Sequence, residues 1–113
     1  MSERILKINA LIQLELGELL VREIEFPRQC LVTVTAVETS SDLHHVKVWV
    51  SVLPSMYAGK VLERLRKNAG HFQHLLNKRL RFKPLPRLSF AIDSSERDAA
   101  GVDQLLDQIR STE

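Results

Sequence analysis

The sequence predicts an α+β domain in which helices cover one face of a small three-stranded sheet. Three observations lead there. Residues 3–22 carry apolar side chains at helical spacing, and residues 32–37 and 46–52 carry β-branched side chains at period two. Residues 60–83 then resume the helical spacing, with a break at Asn68-Ala69-Gly70, before a third alternating run at Leu88, Phe90 and Ile92.

In the first helix Ile5, Ile8, Ile12, Leu16 and Leu19 form the apolar row, Leu20 lies beside it, and Glu15 and Glu18 stand off it. Gly17 costs about 1 kcal/mol against alanine inside a helix, so it is expected where another element approaches closely. Pro27 ends the pattern. Val32, Val34 and Ala36 alternate with Thr33, Thr35 and Val37, and Val46, Val48, Val50 and Val52 alternate with Lys47, Trp49 and Ser51. The short link Thr39-Ser40-Ser41-Asp42 has turn chemistry and predicts an antiparallel pair. Trp49 then points away from the valine face, either as a stacking platform or as a side chain covered by another element.

Leu53-Pro54-Ser55 ends the second strand, and Ser55 is placed to cap a helix opening near Met56. From there Leu65, Ala69, Phe72, Leu76 and Leu80 recur on one side, and Lys60, Arg64, Lys67, His71, His74 and Lys78 on another. Gly70 inside a continuing pattern predicts a kink, and Pro84 and Pro86 stop the helix near Arg79–Arg81. After the third strand, Ser95 followed by Asp98 marks a helix start, and Val102, Leu105, Leu106 and Ile109 give a short helix with an acidic outer side. The expected order is α-β-β-α-(kink)-α-β plus a short C-terminal helix. It forms one domain over residues 1–113, with residues 94–113 a helical appendage.

Composition narrows the function. The 113 residues are 44% hydrophobic and 27% charged, ordinary for a single globular domain. No apolar run approaches the roughly 20 residues that span a bilayer, and the N-terminus has no signal-peptide core. The single cysteine, Cys30, has no partner for an internal disulfide, so a reducing cytoplasm is expected. Charge distribution says more than the net +2. Residues 1–59 hold five Lys/Arg against seven Asp/Glu, residues 60–87 nine against Glu63 alone, and residues 88–113 two against six. A local excess of +8 suits a polyanion such as nucleic acid. The candidate phosphate contacts are Lys60, Arg64, Lys67, Lys78, Arg79, Arg81 and Lys83; Arg66 falls off the stripe and is expected to support the fold.

The residues give little sign of an enzyme. His71 and His74 lie three apart, but no cysteine or carboxylate accompanies them at ligand spacing, so no metal is expected. His44-His45 reads as a turn pair, Asp42 as an acceptor for turn amides, and Cys30 as a small buried residue. Phosphate loop, dinucleotide fingerprint and hydrolase elbow are all missing from the sequence, and no cofactor is expected.

Several segments resemble one family in order along nearly the whole chain. They are Arg4-Ile5-Leu6-Lys7-Ile8-Asn9, then Val32-Thr33-Val34-Thr35 with Ser41-Asp42-Leu43, then Val46-Lys47-Val48-Trp49-Val50-Ser51. Asn68-Ala69-Gly70, Arg79-Leu80-Arg81, Pro86-x-Leu88-x-Phe90 and Asp93-x-Ser95 follow. The element order resembles a type II KH domain, and these segments are similar to the ribosome-binding factor A family, bacterial assembly factors of the small ribosomal subunit. At the kink the family tends to Ala-x-Gly, where this chain has Asn68 first and Ala69 second. An ordinary KH domain clamps nucleic acid with a Gly-x-x-Gly loop; the glycines here are Gly17, Gly59, Gly70 and Gly101, so that loop is missing. The resemblance implies that an interhelical kink takes its place. It further implies a monomeric, non-enzymatic RNA-binding protein whose partners are the small ribosomal subunit and its rRNA, with no membrane and no small-molecule substrate. The rival expectations are a generic KH-like nucleic-acid module without a ribosomal partner, and a protein-interaction adapter.

Overall fold

The computed structural model describes residues 3–23, 26, 30–80 and 85–94. The elements are α1 (Glu3–Glu23), β1 (Leu31–Thr39), β2 (His45–Leu53), a 3₁₀ turn (Ser55–Tyr57), α2 (Ala58–Lys67), α3 (Ala69–Arg79) and β3 (Arg87–Ile92). The expected C-terminal helix on Val102, Leu105, Leu106 and Ile109 lies outside the described residues, as do Arg81 and Lys83.

The sheet has the order β1-β2-β3, with β1 antiparallel and β3 parallel to the central β2. Antiparallel neighbours need only a tight turn, whereas parallel neighbours need a crossover. Helices α2 and α3 are that crossover. The valines of β2 decide where it goes: Val46, Val48 and Val50 are completely buried, so helices cover that face. Ile12 and Leu16 of α1, Val61 and Leu65 of α2, and Phe72 and Leu76 of α3 fill the layer, all with no exposure. The Phe72 ring meets Phe90 of β3 edge-on, with centroids 6.1 Å apart. Gly17 is not a point of close approach, because a side chain there would meet nothing within 4 Å.

Three local features depart from simple periodicity. In β1, Val34 is opposite Val50 but Ala36 is opposite Trp49, so Thr35 is an extra residue and the register shifts. Such a bulge turns later residues to the other face. Val37 therefore joins Val34 in the core and Ala36 joins the face of Trp49, which reverses the strict alternation expected for this strand. The Thr35 hydroxyl, set loose by the bulge, donates to Asp93 Oδ2 at 2.6 Å and so ties β1 to the end of β3.

Ser55 does not cap a helix. Pro54 is extended, the Leu53–Pro54 peptide is cis, and Ser55 begins the 3₁₀ turn; neither Pro54 nor Tyr57 makes a side-chain cap hydrogen bond. Ser55 thus sits inside the first turn, one place too late to cap it.

The amide of Gln73 on α3 clamps the start of β3. Its Nε2 donates to the Pro86 carbonyl at 3.1 Å, and its Oε1 accepts from Leu88 N at 2.8 Å. An edge strand of six residues is thereby fixed to the helix above it. Gln73→Ala is expected to cost about 1–3 kcal/mol, because a part-buried backbone N–H loses its acceptor; the midpoint of urea unfolding measures it.

Between β1 and β2, Asp42 Oδ1 accepts from Ser40 Oγ at 2.6 Å and from His44 N at 3.0 Å, while Ser40 Oγ accepts from His45 N at 3.0 Å. Leu43 takes φ of 63°, a left-handed conformation held by this network. The Ser40 hydroxyl first, then the His44 amide, lower the Asp42 pKa below its ordinary value. A carboxylate with a depressed folded pKa stabilises above its unfolded pKa, and that contribution is lost as pH falls through the folded one. Asp42→Ala should therefore lower Tm at pH 6, with the gap to the wild type narrowing below about pH 4. Thermal melts across that range test it, and a gap independent of pH would refute the assignment to the charged form.

Candidate nucleic-acid interface

Helix α2 is anchored by Val61 and Leu65, which point into the core against β2 and β3. At roughly 100° per residue Lys60, Arg64 and Lys67 fall together on the flank beyond Val61, all exposed. Arg66 lies at the far margin of the same exposed arc and makes no ion pair among the described residues, so the expected role in supporting the fold is not what its surroundings show. Glu63 is the single acid of α2. The helix thus offers four cations to solvent within ten residues.

The two middle helices are joined through one residue, Asn68, whose φ of −101° and ψ of 8° are not helical. Its side-chain Nδ2 donates to Arg64 O at 2.8 Å, its backbone N–H reaches Arg64 O and Leu65 O, and its carbonyl accepts from Phe72 N at 3.0 Å. Asn68 therefore closes α2 and opens α3 together. Ala69 and Gly70 are the first residues of α3, and a side chain at Gly70 would meet nothing within 4 Å. The bend follows from the asparagine; the glycine's space is not what it requires.

On α3 the basic residues divide. His74 and Lys78 are not drawn into the core, and Lys78 is exposed. His71 Nε2 lies 3.3 Å from Glu23 of α1. Arg79 Nη1 donates to Glu15 at 2.8 Å and to Glu18 at 3.0 Å, with the Arg79 and Glu15 side chains only 29% and 23% exposed. The hydrogen bond to Glu15 raises the guanidinium pKa further above its already high value, with Glu18 adding to it. The structure thus gathers Lys60, Arg64 and Lys67 on α2, places Lys78 on the outer side of α3, and turns Arg79 inward to α1. Arg87, at the start of β3 and paired in register with His45, is exposed as well. Its place was readable in principle, since its parity sets it opposite the buried Leu88 and Phe90.

Other chemistries find little support here. Among the described residues no group of three His, Cys, Asp or Glu side chains could hold a metal ion. No described helix is long and apolar enough to cross a membrane. Cys30 is partly buried against the core, and that burial raises its thiol pKa.

The family model for ribosome-binding factor A matches residues 4–106. The chain belongs to the ribosome-binding factor A family. It is 38% identical to the ribosome-binding factor A of Akkermansia muciniphila over 109 residues, covering 96% of this chain and 86% of that one. Against the Pseudomonas aeruginosa (strain UCBPP-PA14) protein of the same name the identity is 38% over 105 residues, covering 90% and 81%. The crystal structure of ribosome-binding factor A from Thermus thermophilus superposes with a TM-score of 0.68 at 28% identity, covering 78% of this chain and 93% of that one. A homology model of the Thermus thermophilus factor, fitted into the cryo-EM map of a 30S–RbfA complex, gives 0.64 at 30% identity, covering 76% and 91%. The α+β architecture of ribosome-binding factor A is therefore the architecture described above.

The inward turn of Arg79 has a thermal signature. Arg79→Ala leaves Glu15 and Glu18 beside each other without their cation and is expected to lower Tm. In about 1 M salt, where charges are screened within roughly 3 Å, the loss should shrink. Melting curves at low and high salt measure this; an equal Tm loss at both would show that the arginine acts through packing.

Proposed function

We propose that this chain binds free or immature 30S subunits in the cytoplasm and, without catalysing a reaction, assists late maturation and processing of small-subunit rRNA. Family membership supports the ribosomal partner, and the fitted 30S–RbfA complex of the Thermus thermophilus relative supports the small subunit. The observation that carries the reading is the outer face of α2. There Lys60, Arg64 and Lys67 project together from a helix whose other side is locked into the core. Cations on one rigid face bind phosphates with little sequence information and strong salt dependence. Lys78 extends the contact along α3, and Arg81 and Lys83 continue it in sequence. Arg79, already held by Glu15 and Glu18, is assigned to holding α3 in place. The bend at Asn68 sets the angle between the two cationic segments, where a KH domain has its Gly-x-x-Gly loop.

In a sucrose gradient of cell extract the protein should migrate with free 30S subunits and not with mature ribosomes. Replacing Lys60, Arg64 and Lys67 together by Ala should abolish that comigration. In binding to purified 30S subunits, the same variant should flatten the slope of log K against log salt by about 2–3, at roughly 0.7–0.9 per lost phosphate contact. An unchanged slope would remove α2 from the interface. RNA binding without 30S comigration would make the chain a generic nucleic-acid module.

A further inference from the structure

The open face of the sheet, on the side away from the helices, carries a second cluster that the basic stripe does not include. Period two puts His45, Lys47 and Trp49 of β2 on that face, beside Arg87, Ser89 and Ala91 of β3. His45, Lys47, Arg87 and Ser89 are exposed, and Trp49 is half-buried. No described helix lies over them, since α1, α2 and α3 all pack against the valine side.

Four features of this cluster point to a ligand. The cross-strand partners of Trp49 are Ala36 on one side and Ala91 on the other, so neither directly opposed side chain is tall. The Lys47 ammonium lies over the ring, 4.7 Å from its centroid, although the register puts Glu38 directly across from Lys47. The Trp49 Nε1–H is buried and finds no hydrogen-bond acceptor among the described residues. A donor left so is a cost that a rearrangement supplying an acceptor would remove. Finally, His45, Lys47 and Arg87 gather on this face with two carboxylates, Glu38 on β1 across from Lys47 and Asp93 just beyond β3, the latter already engaged by Thr35.

We propose that Trp49 is a stacking site for one unpaired base of single-stranded RNA, with Lys47 and Arg87 taking the adjoining phosphates. In the unbound protein the Lys47 ammonium covers the indole through a cation–π contact. On binding, a base replaces it on the ring and the ammonium moves to a phosphate oxygen. Lys47 and Arg87 beside the ring favour a polyanion over an apolar peptide, and the flat indole between two alanines favours a base over bare phosphate. Strand β3, with Arg87 at its start, separates this face from α2, so one RNA strand passing over that edge reaches both surfaces. The proposal rests on the RNA-binding reading above and adds a site to it.

Trp49 is the single tryptophan of the chain, which makes its emission a direct reporter. A short single-stranded oligoribonucleotide of mixed sequence, titrated into the full-length protein, should quench it saturably. Trp49→Ala should weaken binding of that oligonucleotide at least about fivefold, the lower end for loss of one base–aromatic stack. Trp49→Phe, which keeps a ring and the strand's packing, should stay within about threefold of the wild type. Neither variant should change the slope of log K against log salt, whereas the Lys60/Arg64/Lys67 variant should flatten it. Failure at Trp49 and failure of the α2 reading are thus told apart. Emission unmoved at saturating RNA, with Trp49→Ala binding as the wild type does, would overturn the proposal. So would loss of 30S association in Trp49→Ala with RNA affinity intact, which would make this face a protein-docking surface.

Discussion

The molecule depends on the burial of one face of its central strand. β2 is hydrogen-bonded on both sides, so its edges are satisfied within the sheet and its remaining choice is which face to bury. Val46, Val48 and Val50 settle it, each with no exposure. Because side chains alternate along a strand, Lys47 and Trp49 must then look the other way. The three described helices are all drawn to the valine side, and with them the basic face of α2. One alternating run of β-branched residues thereby separates the protein into a helical side with cations and a sheet side with an aromatic ring.

Charge is partitioned by the same packing. Helix α1 carries Glu15, Glu18 and Glu23 on the flank that meets α3, where Glu15 and Glu18 pair with Arg79 and Glu23 lies 3.3 Å from His71 Nε2. Helix α2 packs on β2 and β3 instead and meets no such row of acids among the described residues. The positive segment that looks continuous in the sequence is therefore uneven in space. Its α3 portion is partly neutralised by α1, and its α2 portion turns its charge to solvent. A polyanion approaching the helical side would meet α2 first, because a concentration of like charge on a rigid surface dominates the local potential.

The helices, strands and their order were legible in the sequence because each has a periodic apolar row with a buried counterpart. Ile12 and Leu16, Val46 to Val50, Phe72 and Leu76 are examples, and the resemblance in their order was enough to name the fold. What was not legible depends on single backbone choices or on partners far away in the chain. The bulge at Thr35 leaves no mark in a run of alternating β-branched residues, yet it exchanges Ala36 and Val37 between faces. Gln73 looks like one more polar helix position, and only the return of the chain at Pro86 and Leu88 makes it a clamp. Arg79 reads as another member of a basic stripe, since its carboxylates lie 61 and 64 positions away. Charge patterning within a segment cannot reveal pairing between segments.

Asn68 joins these levels. A glycine at a helix break relaxes the backbone without specifying it, and the apolar pattern alone gives Gly70 that role. The break instead falls on a residue whose side-chain amide adds a second donor to the Arg64 carbonyl, in the last turn where helix carbonyls run out of partners. An asparagine here stops α2 and offsets the stop locally, and its own carbonyl starts α3 through Phe72 N. With Leu65 buried on one side of the break and Phe72 on the other, both half-helices are pinned to the core close to the corner. The bend is thus over-determined by packing at both ends and by hydrogen bonds at its centre. It behaves as a fixed corner more than a hinge, so the cations of α2 and the exposed Lys78 of α3 are presented at a constant angle. On the proposed reading, in which this surface would meet phosphates and not base edges, a constant angle is the property that would carry selectivity.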